Sequence, residues 1–286
     1  MVAVKNICLS NCFNKKENCM KVALCFNGLV GGRVTKTGNG ENLDPSIAYE
    51  YYKKHLIDIN DEVDVFIHSW SVEEKDKLIE LYKPKKECIE TQIEFPQATN
   101  HPNKLGTFKN KIKLFLKKLI KPDDYQKEIQ RLENYSWRTH SRWYSTKKSL
   151  ELKKEYEDEH GFKYDAVMIS RLDVGFFTDV DFSKYDMNYF YASHRNDAAT
   201  KEHNYQANYE NHDEGNSFLD LWFFSNSENM DKFGELYDQI NDYDISPHTS
   251  SRQYVDKVIG KEKVKYTFYR WFDHEMIRRK FFEAKE

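Results

Sequence analysis

An arginine and an aspartate stand directly after a short apolar run, which is a common position for ligand-binding side chains. Residues 166–170 are apolar or small, and Arg171 and Asp173 follow them two positions apart. That spacing places both side chains on one face of an extended chain, and ligands of open α/β sheets bind beyond the carboxyl ends of strands. A carboxylate there could hold Mg²⁺ or Mn²⁺ against phosphate oxygens, and a guanidinium suits oxyanions directly. The alternative is an Arg171–Asp173 ion pair that only closes the strand.

A second group of candidates follows the first apolar run of the sequence, residues 22–26. Asn27 and Gly28 begin a glycine-rich stretch that reaches Arg33. Successive backbone N–H groups in such a loop can bind a phosphate, although a plain turn contains the same glycines. His68 stands near the end of another apolar run. Its imidazole could orient a phosphate or bind a backbone carbonyl.

Proton transfer to the protein would need a base, and three acidic residues are candidates. Asp220 interrupts the apolar run 219–225, and a carboxylate there could accept a hydroxyl proton. It could equally be a hydrogen-bonded structural residue. Asp213 and Glu214 lie in the long polar stretch 195–217, and loops of this length often carry function.

The pattern of apolar runs predicts the elements that position these residues. Residues 22–26 and 63–70 read as strands on either side of a helix at 45–60, which is a βαβ unit and predicts a parallel sheet. Further strands are predicted at 87–95, 166–170, 189–193, 219–225 and 263–270, and helices at 71–82, 136–160, 228–240 and 273–284. We therefore expect an α/β fold with a mixed, mainly parallel sheet flanked by helices. One domain spans residues 20–286, and residues 1–19 form an extension.

A basic segment interrupts this pattern between residues 97 and 135, where we expect a helical insertion. Residues 109–121 contain six lysines, and the apolar residues among them recur at helical spacing, namely Ile112, Phe115, Leu116, Leu119 and Ile120. Such an amphipathic helix can lie on an anionic membrane. Alternatively, its apolar face docks on the core and the lysines remain in water.

Composition narrows the location and the partners. The formal net charge of -3 gives no reason to expect nucleic-acid binding. No apolar run approaches the ~20 residues that cross a bilayer, and the first twenty residues lack the apolar stretch of a secretory signal. We expect a cytoplasmic protein whose membrane contact, if it has one, is peripheral. The five cysteines show no zinc-site spacing, so reduced thiols are expected.

The stretch 164–174, which reads Tyr-Asp-x-Val-x-x-x-Arg-x-Asp-Val, resembles the metal-binding strand end of GT-A-type glycosyltransferases that build bacterial and viral surface polysaccharides. In that family a DxD or related motif follows the fourth strand. Arg171 replaces the first aspartate here, so only Asp173 carries over as a metal ligand. Residues 21–28 and 64–70 resemble the first two strands of those enzymes, and the similarity covers most of residues 20–240. Ser141, Ser145 and Lys148 match a serine-rich, basic helix, and 219–225 matches the acceptor-side strand.

The resemblance implies a GT-A (Rossmann-like) fold, a nucleotide-sugar donor, a glycan or glycolipid acceptor, and Mn²⁺ or Mg²⁺ as cofactor. The donor-binding residues that it implies, together with those inferred above, are Asn27, Gly28, Arg33, His68, Ser145, Lys148, Arg171 and Asp173. Enzymes of this type often recruit a late histidine to the metal, so the implied ligands are Asp173, His248 and His274. The catalytic candidates are Asp220, Asp213 and Glu214.

Two other classes of function remain open at this point. A nucleotidyltransferase uses a similar arrangement of aspartate, metal and phosphate, but residues 28–33 do not spell its basic phosphate-binding signature. A non-catalytic carbohydrate-binding protein would explain the 15% aromatic content without a metal.

Overall fold

A seven-stranded mixed sheet with helices on both faces forms the centre of the molecule. The computed structural model describes residues 19–31, 43–96, 108–194 and 215–277. The strands are β1 (Lys21–Gly28), β2 (Glu62–Ser69), β3 (Lys86–Ile89), β4 (Ala166–Arg171), β5 (Val174–Phe176), β6 (Phe190–His194), β7 (Leu219–Ser225), β8 (Val264–Tyr269) and β9 (His274–Met276). The α-helices are α1 (Pro45–Tyr52), α2 (Lys75–Tyr82), α3 (Phe108–Ile120), α4 (Pro122–His160), α5 (Ser227–Gly234) and α6 (Pro247–Val255).

The strand order is β3-β2-β1-β4-β7-β6-β8, and β5 pairs with β9 in a separate two-stranded sheet. Strands β1 to β4 are parallel to one another, β7 is antiparallel to β4 and β6, and β6 is parallel to β8. This arrangement confirms the predicted fold class. Because β7 runs opposite to β4, the beginning of β7 lies at the same edge as the end of β4.

The two faces of the sheet bury separate apolar layers. Along β1, Val22, Leu24 and Phe26 pack in one layer with Tyr52 of α1, while Ala23 and Cys25 pack in the other with Trp143 of α4. Successive strand residues point to opposite faces, and parallel strands covered by helices on both sides are therefore apolar at every position. The site residues come from the strand ends, where helices no longer cover both faces and polar side chains are tolerated.

The predicted start of the long helix was wrong. Helix α4 spans 39 residues and begins at Pro122, with Pro at its first turn, rather than at Ser136. Proline is well tolerated at that position, and residues 123–135 contain neither Gly nor Pro to interrupt the helix. The last part of the expected insertion is thus continuous with the helix that covers the sheet. Helix α4 ends at Gly161, whose φ of 70° is the left-handed conformation that favours glycine.

The predicted terminal helix at 273–284 was also wrong where the structure describes it. Residues His274–Met276 form β9, antiparallel to β5, with Gly175 opposite Glu275. A Cβ at Gly175 would lie 2.5 Å from Cδ1 of Ile277, so only glycine permits this close approach. The pairing is between strands a hundred residues apart, which local periodicity does not reveal. The predicted strand 87–95 is likewise shorter, because β3 ends at Ile89.

Within the part of the chain that the structure describes, no helix has both the length and the apolarity that a bilayer crossing requires.

Candidate functional site

The candidate site lies where the strand order of the sheet reverses. Strands β2 and β3 extend the sheet on one side of β1, and β4 adds to the other side. Ligands of open α/β sheets bind in the crevice beyond the carboxyl ends of strands at such a switch point. Asn27 of β1 and Arg171 of β4 are register partners at this edge.

A mostly buried arginine, Arg142 of the long helix α4, reaches the switch point. Arg142 donates through Nη1 to Oδ1 of Asn27 and, at 2.8 Å, to Oγ1 of Thr146. Its Nη2 donates to the backbone oxygen of Asp220 at 2.8 Å. Burial lowers the pKa of Arg142 to about 10, so its guanidinium remains charged at neutral pH. The side chain of Asn27 is fully buried, and its Nδ2 has no hydrogen-bond partner among the residues described. The cluster thus keeps the two N–H donors of this amide for a ligand or for a segment outside those residues.

Asp220 and His248 form a second pair at the same edge. Oδ1 of Asp220 lies 3.1 Å from Nδ1 of His248, and its Oδ2 lies 3.7 Å from Nε of Arg142. The backbone oxygen of His248, in the first turn of α6, accepts from the N–H of Phe218 at 2.9 Å. Burial disfavours the charged form of Asp220, but His248, Arg142 and Arg171 outweigh it and hold its pKa well below the usual range. A carboxylate this stable in its ionised form is a weak proton acceptor.

Arg171 and Asp173 form the ion pair that the sequence left as an alternative. Nε and Nη2 of Arg171 each donate to one carboxylate oxygen of Asp173 at 2.7 Å. The Asp173 side chain is 1% exposed and that of Arg171 is 28% exposed. The backbone oxygen of Asp173 accepts from the N–H of Ile277 at 2.7 Å, so the small β5–β9 sheet fixes this turn. Although burial opposes it, Asp173 raises the pKa of Arg171 above its usual value.

The three predicted metal ligands do not form one preformed set. Both oxygens of Asp173 bind Arg171, and His248 lies against Asp220. His274 is fully buried in β9, with Nε2 2.7 Å from Oγ of Ser193, and burial lowers its pKa to about 3. Among the described residues, one group of three His, Cys, Asp or Glu side chains has ligand atoms within 4.8 Å of one another, and it contains none of these three. The residues present therefore do not fit a three-ligand metal centre here, and the Mn²⁺ or Mg²⁺ cofactor stays a prediction.

Two of the predicted donor-binding residues are buried supports for the loop after β1. Oγ of Ser145 accepts from the N–H of Gly28 at 2.8 Å and lies 2.7 Å from Nδ1 of His68. Both side chains are fully buried. Lys148, one turn along α4, instead binds Glu151 at 2.9 Å. Gly28 has a φ of 95° and so makes the turn that a side chain would strain.

A cleft of about 390 Å³ opens beside this loop. Its walls come from the ends of β1 and β2, the segment after β3, and α4. The lining residues are Leu29, Gly31, Trp70, Val72, Glu73, Thr91, Gln92, Glu94 and Trp137. Indole walls next to amide and hydroxyl groups suit a ring that has both apolar faces and polar edges, such as a base or a sugar.

Three predicted site residues fall outside the described residues. Arg33 belongs to the stretch 32–42, and Asp213 and Glu214 belong to 195–214. Their predicted roles in donor binding and catalysis remain predictions.

Sequence reasoning missed Arg142 and Tyr52. Arg142 belongs to a stripe with Thr146, Ser149 and Lys153 at helical spacing. The other three are buried, although their types are typical of a solvent-facing side, and the Arg142 side chain is 9% exposed. The hydroxyl of Tyr52 donates to the backbone oxygen of Arg171 at 2.7 Å and lies 2.6 Å from Oγ of Ser170. The stripe was the available signal for Arg142, and nothing local in the sequence indicated Tyr52.

Comparisons with known proteins leave the family of this chain open. No protein-family model matches the chain, and no curated protein matches it. Among solved structures, the nucleoside-diphosphate-sugar pyrophosphorylase from Vibrio cholerae RC9 is similar at 10% sequence identity and a TM-score of 0.37, over 92% of this chain and 98% of that chain.

Proposed function

We propose that this protein is a glycosyltransferase that moves a sugar from a nucleotide-sugar donor to a glycan or glycolipid acceptor. One observation carries the proposal: two guanidinium groups lie at the switch point of the sheet beside the Asn27 amide NH₂, which has no partner among the described residues. Asn27 lies between Arg142, which binds it, and Arg171, its register partner. A diphosphate supplies the anionic oxygens that such donors bind.

Arg171 is the group best suited to contact the diphosphate. It is the more exposed of the two arginines, with 28% of its side chain exposed against 9% for Arg142. As the bond between the sugar and the diphosphate breaks, negative charge grows on the departing oxygens. A guanidinium fork fixed beside those oxygens stabilises this charge. Arg142, which binds Asn27, adds its charge to the local positive potential.

The base in this proposal is His248, positioned by Asp220. The acceptor hydroxyl must lose a proton as its oxygen attacks the sugar carbon, unless the donor phosphate takes that proton. Asp220 alone suits this poorly because its pKa is so low. The His248 side chain is 33% exposed, and its Nδ1 lies 3.1 Å from the carboxylate. Asp220 would then orient the ring and stabilise its protonated form while Nε2 takes the proton, as in other carboxylate–histidine pairs.

We further propose that α3 contacts an anionic membrane surface, which would suit a glycolipid acceptor. Five apolar side chains on one side of this helix are 42–72% exposed, namely Ile112, Phe115, Leu116, Leu119 and Ile120. Lys118 and Lys121 are exposed as well. The alternative from the sequence was that this apolar face packs on the core. The exposure of these five side chains shows that they do not pack there. An apolar stripe bordered by lysines fits the boundary between acyl chains and anionic headgroups.

A donor panel tests the proposed reaction. The purified protein is incubated with UDP-, GDP- and dTDP-sugars, with Mn²⁺, Mg²⁺ or a chelator, and released nucleoside diphosphate is measured by chromatography. The proposal predicts release from one class of donor, faster when acceptor is present. Pyrophosphate release from a nucleoside triphosphate and a sugar 1-phosphate would instead identify a nucleotidyltransferase. Glycan binding that survives chelation, without turnover of any donor, would identify a carbohydrate-binding protein.

A further inference from the structure

A histidine, a cysteine and a glutamate come together beside the cleft, away from Asp173. His68 of β2 and Cys88 of β3 are register partners in the parallel ladder. Glu90 follows β3, and its N–H donates to the oxygen of Ser69 at 3.0 Å. The backbone thus fixes all three positions relative to one another.

The ligand atoms of these residues are close enough to share one ion. The imidazole nitrogen, the thiol sulfur and a carboxylate oxygen all lie within 4.8 Å of one another. Nε2 of His68 is 3.2 Å from Oε1 of Glu90. Tetrahedral zinc ligands, at metal distances of about 2.0–2.3 Å, are roughly 3.3–3.8 Å apart. A side-chain movement of about 1 Å or less would therefore complete the set.

The imidazole is already oriented for binding. Its Nδ1 lies 2.7 Å from Oγ of Ser145, and the N–H of Gly28 donates to that same hydroxyl oxygen at 2.8 Å. The ring also packs edge-on against Trp70 at a centroid distance of 4.6 Å. Metal-bound histidines characteristically use their second nitrogen in this way, because the outer hydrogen bond fixes the ring and its tautomer.

The donor types point to zinc rather than to the hard cations of nucleotide chemistry. Thiolate, imidazole and carboxylate together form a zinc-type set, whereas Mg²⁺ prefers oxygen ligands. Lys148 and Lys75 are cations near Cys88 whose charge opposes that of a metal ion. Lys148 binds Glu151 at 2.9 Å, and this ion pair partly offsets its charge. Three protein ligands also leave one tetrahedral position for a non-protein ligand.

We propose that His68, Cys88 and Glu90 bind one zinc ion. The thiol proton of Cys88 and the Nε2 proton of His68, where present, pass to solvent as the metal bonds form. The ion ties the segment after β3 to β2, and this segment supplies Thr91, Gln92 and Glu94 to the cleft wall. Zinc would therefore rigidify one side of this cleft without taking part in the transfer itself.

Cobalt titration of the full-length chain tests this site. Metal is first stripped with a chelator, and Co²⁺ is used because thiolate ligation gives a sulfur-to-cobalt charge-transfer band. The titration is done in a Cys8→Ser, Cys12→Ser, Cys19→Ser background, which removes the other thiols except Cys88 and the fully buried Cys25. The expected result is one Co²⁺ per chain with that band, displaced by one equivalent of Zn²⁺.

Variants of the ligands and a matched neighbour distinguish the site from incidental binding. Cys88→Ser is expected to abolish the band, and Glu90→Gln and His68→Gln to weaken Co²⁺ binding at least tenfold. Glu94→Gln, a carboxylate of the same cleft, should leave it unchanged. Cys88→Ser and Glu90→Gln suffice if His68→Gln fails to fold. A band that persists in Cys88→Ser, or Co²⁺ binding without a sulfur band, overturns the proposal. The titration contains no nucleotide, so its outcome is independent of the proposed glycosyl transfer.

Discussion

At the scale of single residues, the site is a cluster of charges that burial makes mutually dependent. Arg142 and Asp220 are both mostly buried, with Nε of Arg142 3.7 Å from Oδ2 of Asp220. The other carboxylate oxygen of Asp220 lies 3.1 Å from Nδ1 of His248. Removing one member of a buried pair leaves an uncompensated charge and typically costs about 3–5 kcal/mol. Arg171 is different, because 28% of its side chain is exposed, and we expect a ligand to be able to reach it.

The identity of the base can be read from the pH dependence of turnover. A base must be deprotonated, so the rate falls as pH drops through its pKa. With Asp220 as base, its lowered pKa would put this limb below about 4, the ordinary range for aspartate. With His248 as base, the limb should lie at a clearly higher pH, because Asp220 stabilises the protonated form of the ring.

We therefore expect kcat to fall on acidification near neutral pH, and His248→Gln to lower kcat by about 10²–10⁴. The KM for donor should change little, because the proposed role concerns the acceptor. His160→Gln, an exposed histidine at the end of α4, is the matched control. Full activity in His248→Gln, or a wild-type acid limb below pH 4, would return the role to Asp220 or to another group.

At the scale of elements, the β5–β9 sheet holds the turn that presents Asp173. His274 begins β9 and is buried against Phe176 and Trp222. Its pKa is lowered to about 3 by burial and, to a lesser extent, by Arg270. In the unfolded chain an imidazole titrates near about 6.5. Between these two values the unfolded state binds more protons, so acidification favours unfolding.

This linkage predicts a loss of stability between pH 7 and pH 5. The contribution of His274 to that loss is about 2 kcal/mol, at about 1.4 kcal/mol per pH unit below 6.5. His274→Gln keeps a side-chain amide near Ser193 but cannot titrate, so its free energy of unfolding should depend less steeply on pH by that amount. Urea unfolding of both proteins at pH 7 and at pH 5 measures this difference in the free energy of unfolding. Equal slopes in the two proteins would mean that His274 is not buried and neutral in the native state.

The apolar side of α3 makes a prediction about membrane binding. Replacing two of its most exposed apolar residues, as in Phe115→Ser with Leu119→Ser, should reduce sedimentation with vesicles that contain phosphatidylserine by at least tenfold. Higher salt should weaken the wild-type interaction, because the lysines act through screened charges.

Ile59→Ser with Val72→Ser is the matched control, since both residues are exposed and apolar but lie elsewhere. The membrane role is excluded if the intact protein does not sediment with anionic vesicles, or if the control variant loses binding to the same extent.

At the scale of the whole molecule, the sequence was informative where the signal is local. The βαβ unit, the buried strands and the edge that carries Asn27, Arg171 and Asp220 all follow from apolar runs and the residues after them. The pairs of side chains that form the site could not be predicted, because they join segments far apart in the sequence. The contact between Asp220 and His248, the approach of Arg142 to Asn27, and the meeting of His68 with Cys88 each join residues that no spacing rule connects.

The central claim is that Arg171 and its neighbours bind the diphosphate of a nucleotide sugar. Isothermal titration calorimetry of the donor identified in the panel, against wild type and Arg171→Lys, tests it most directly. Lysine keeps a positive charge beside Asp173 but loses the planar fork that binds two phosphate oxygens.

The control is Arg131→Lys, an exposed arginine of α4 that binds only Glu128 among the described residues. The account predicts that Kd rises about 10- to 100-fold in Arg171→Lys, equivalent to about 1.4–2.7 kcal/mol, and stays unchanged in the control. Equal donor affinity in all three proteins would contradict it.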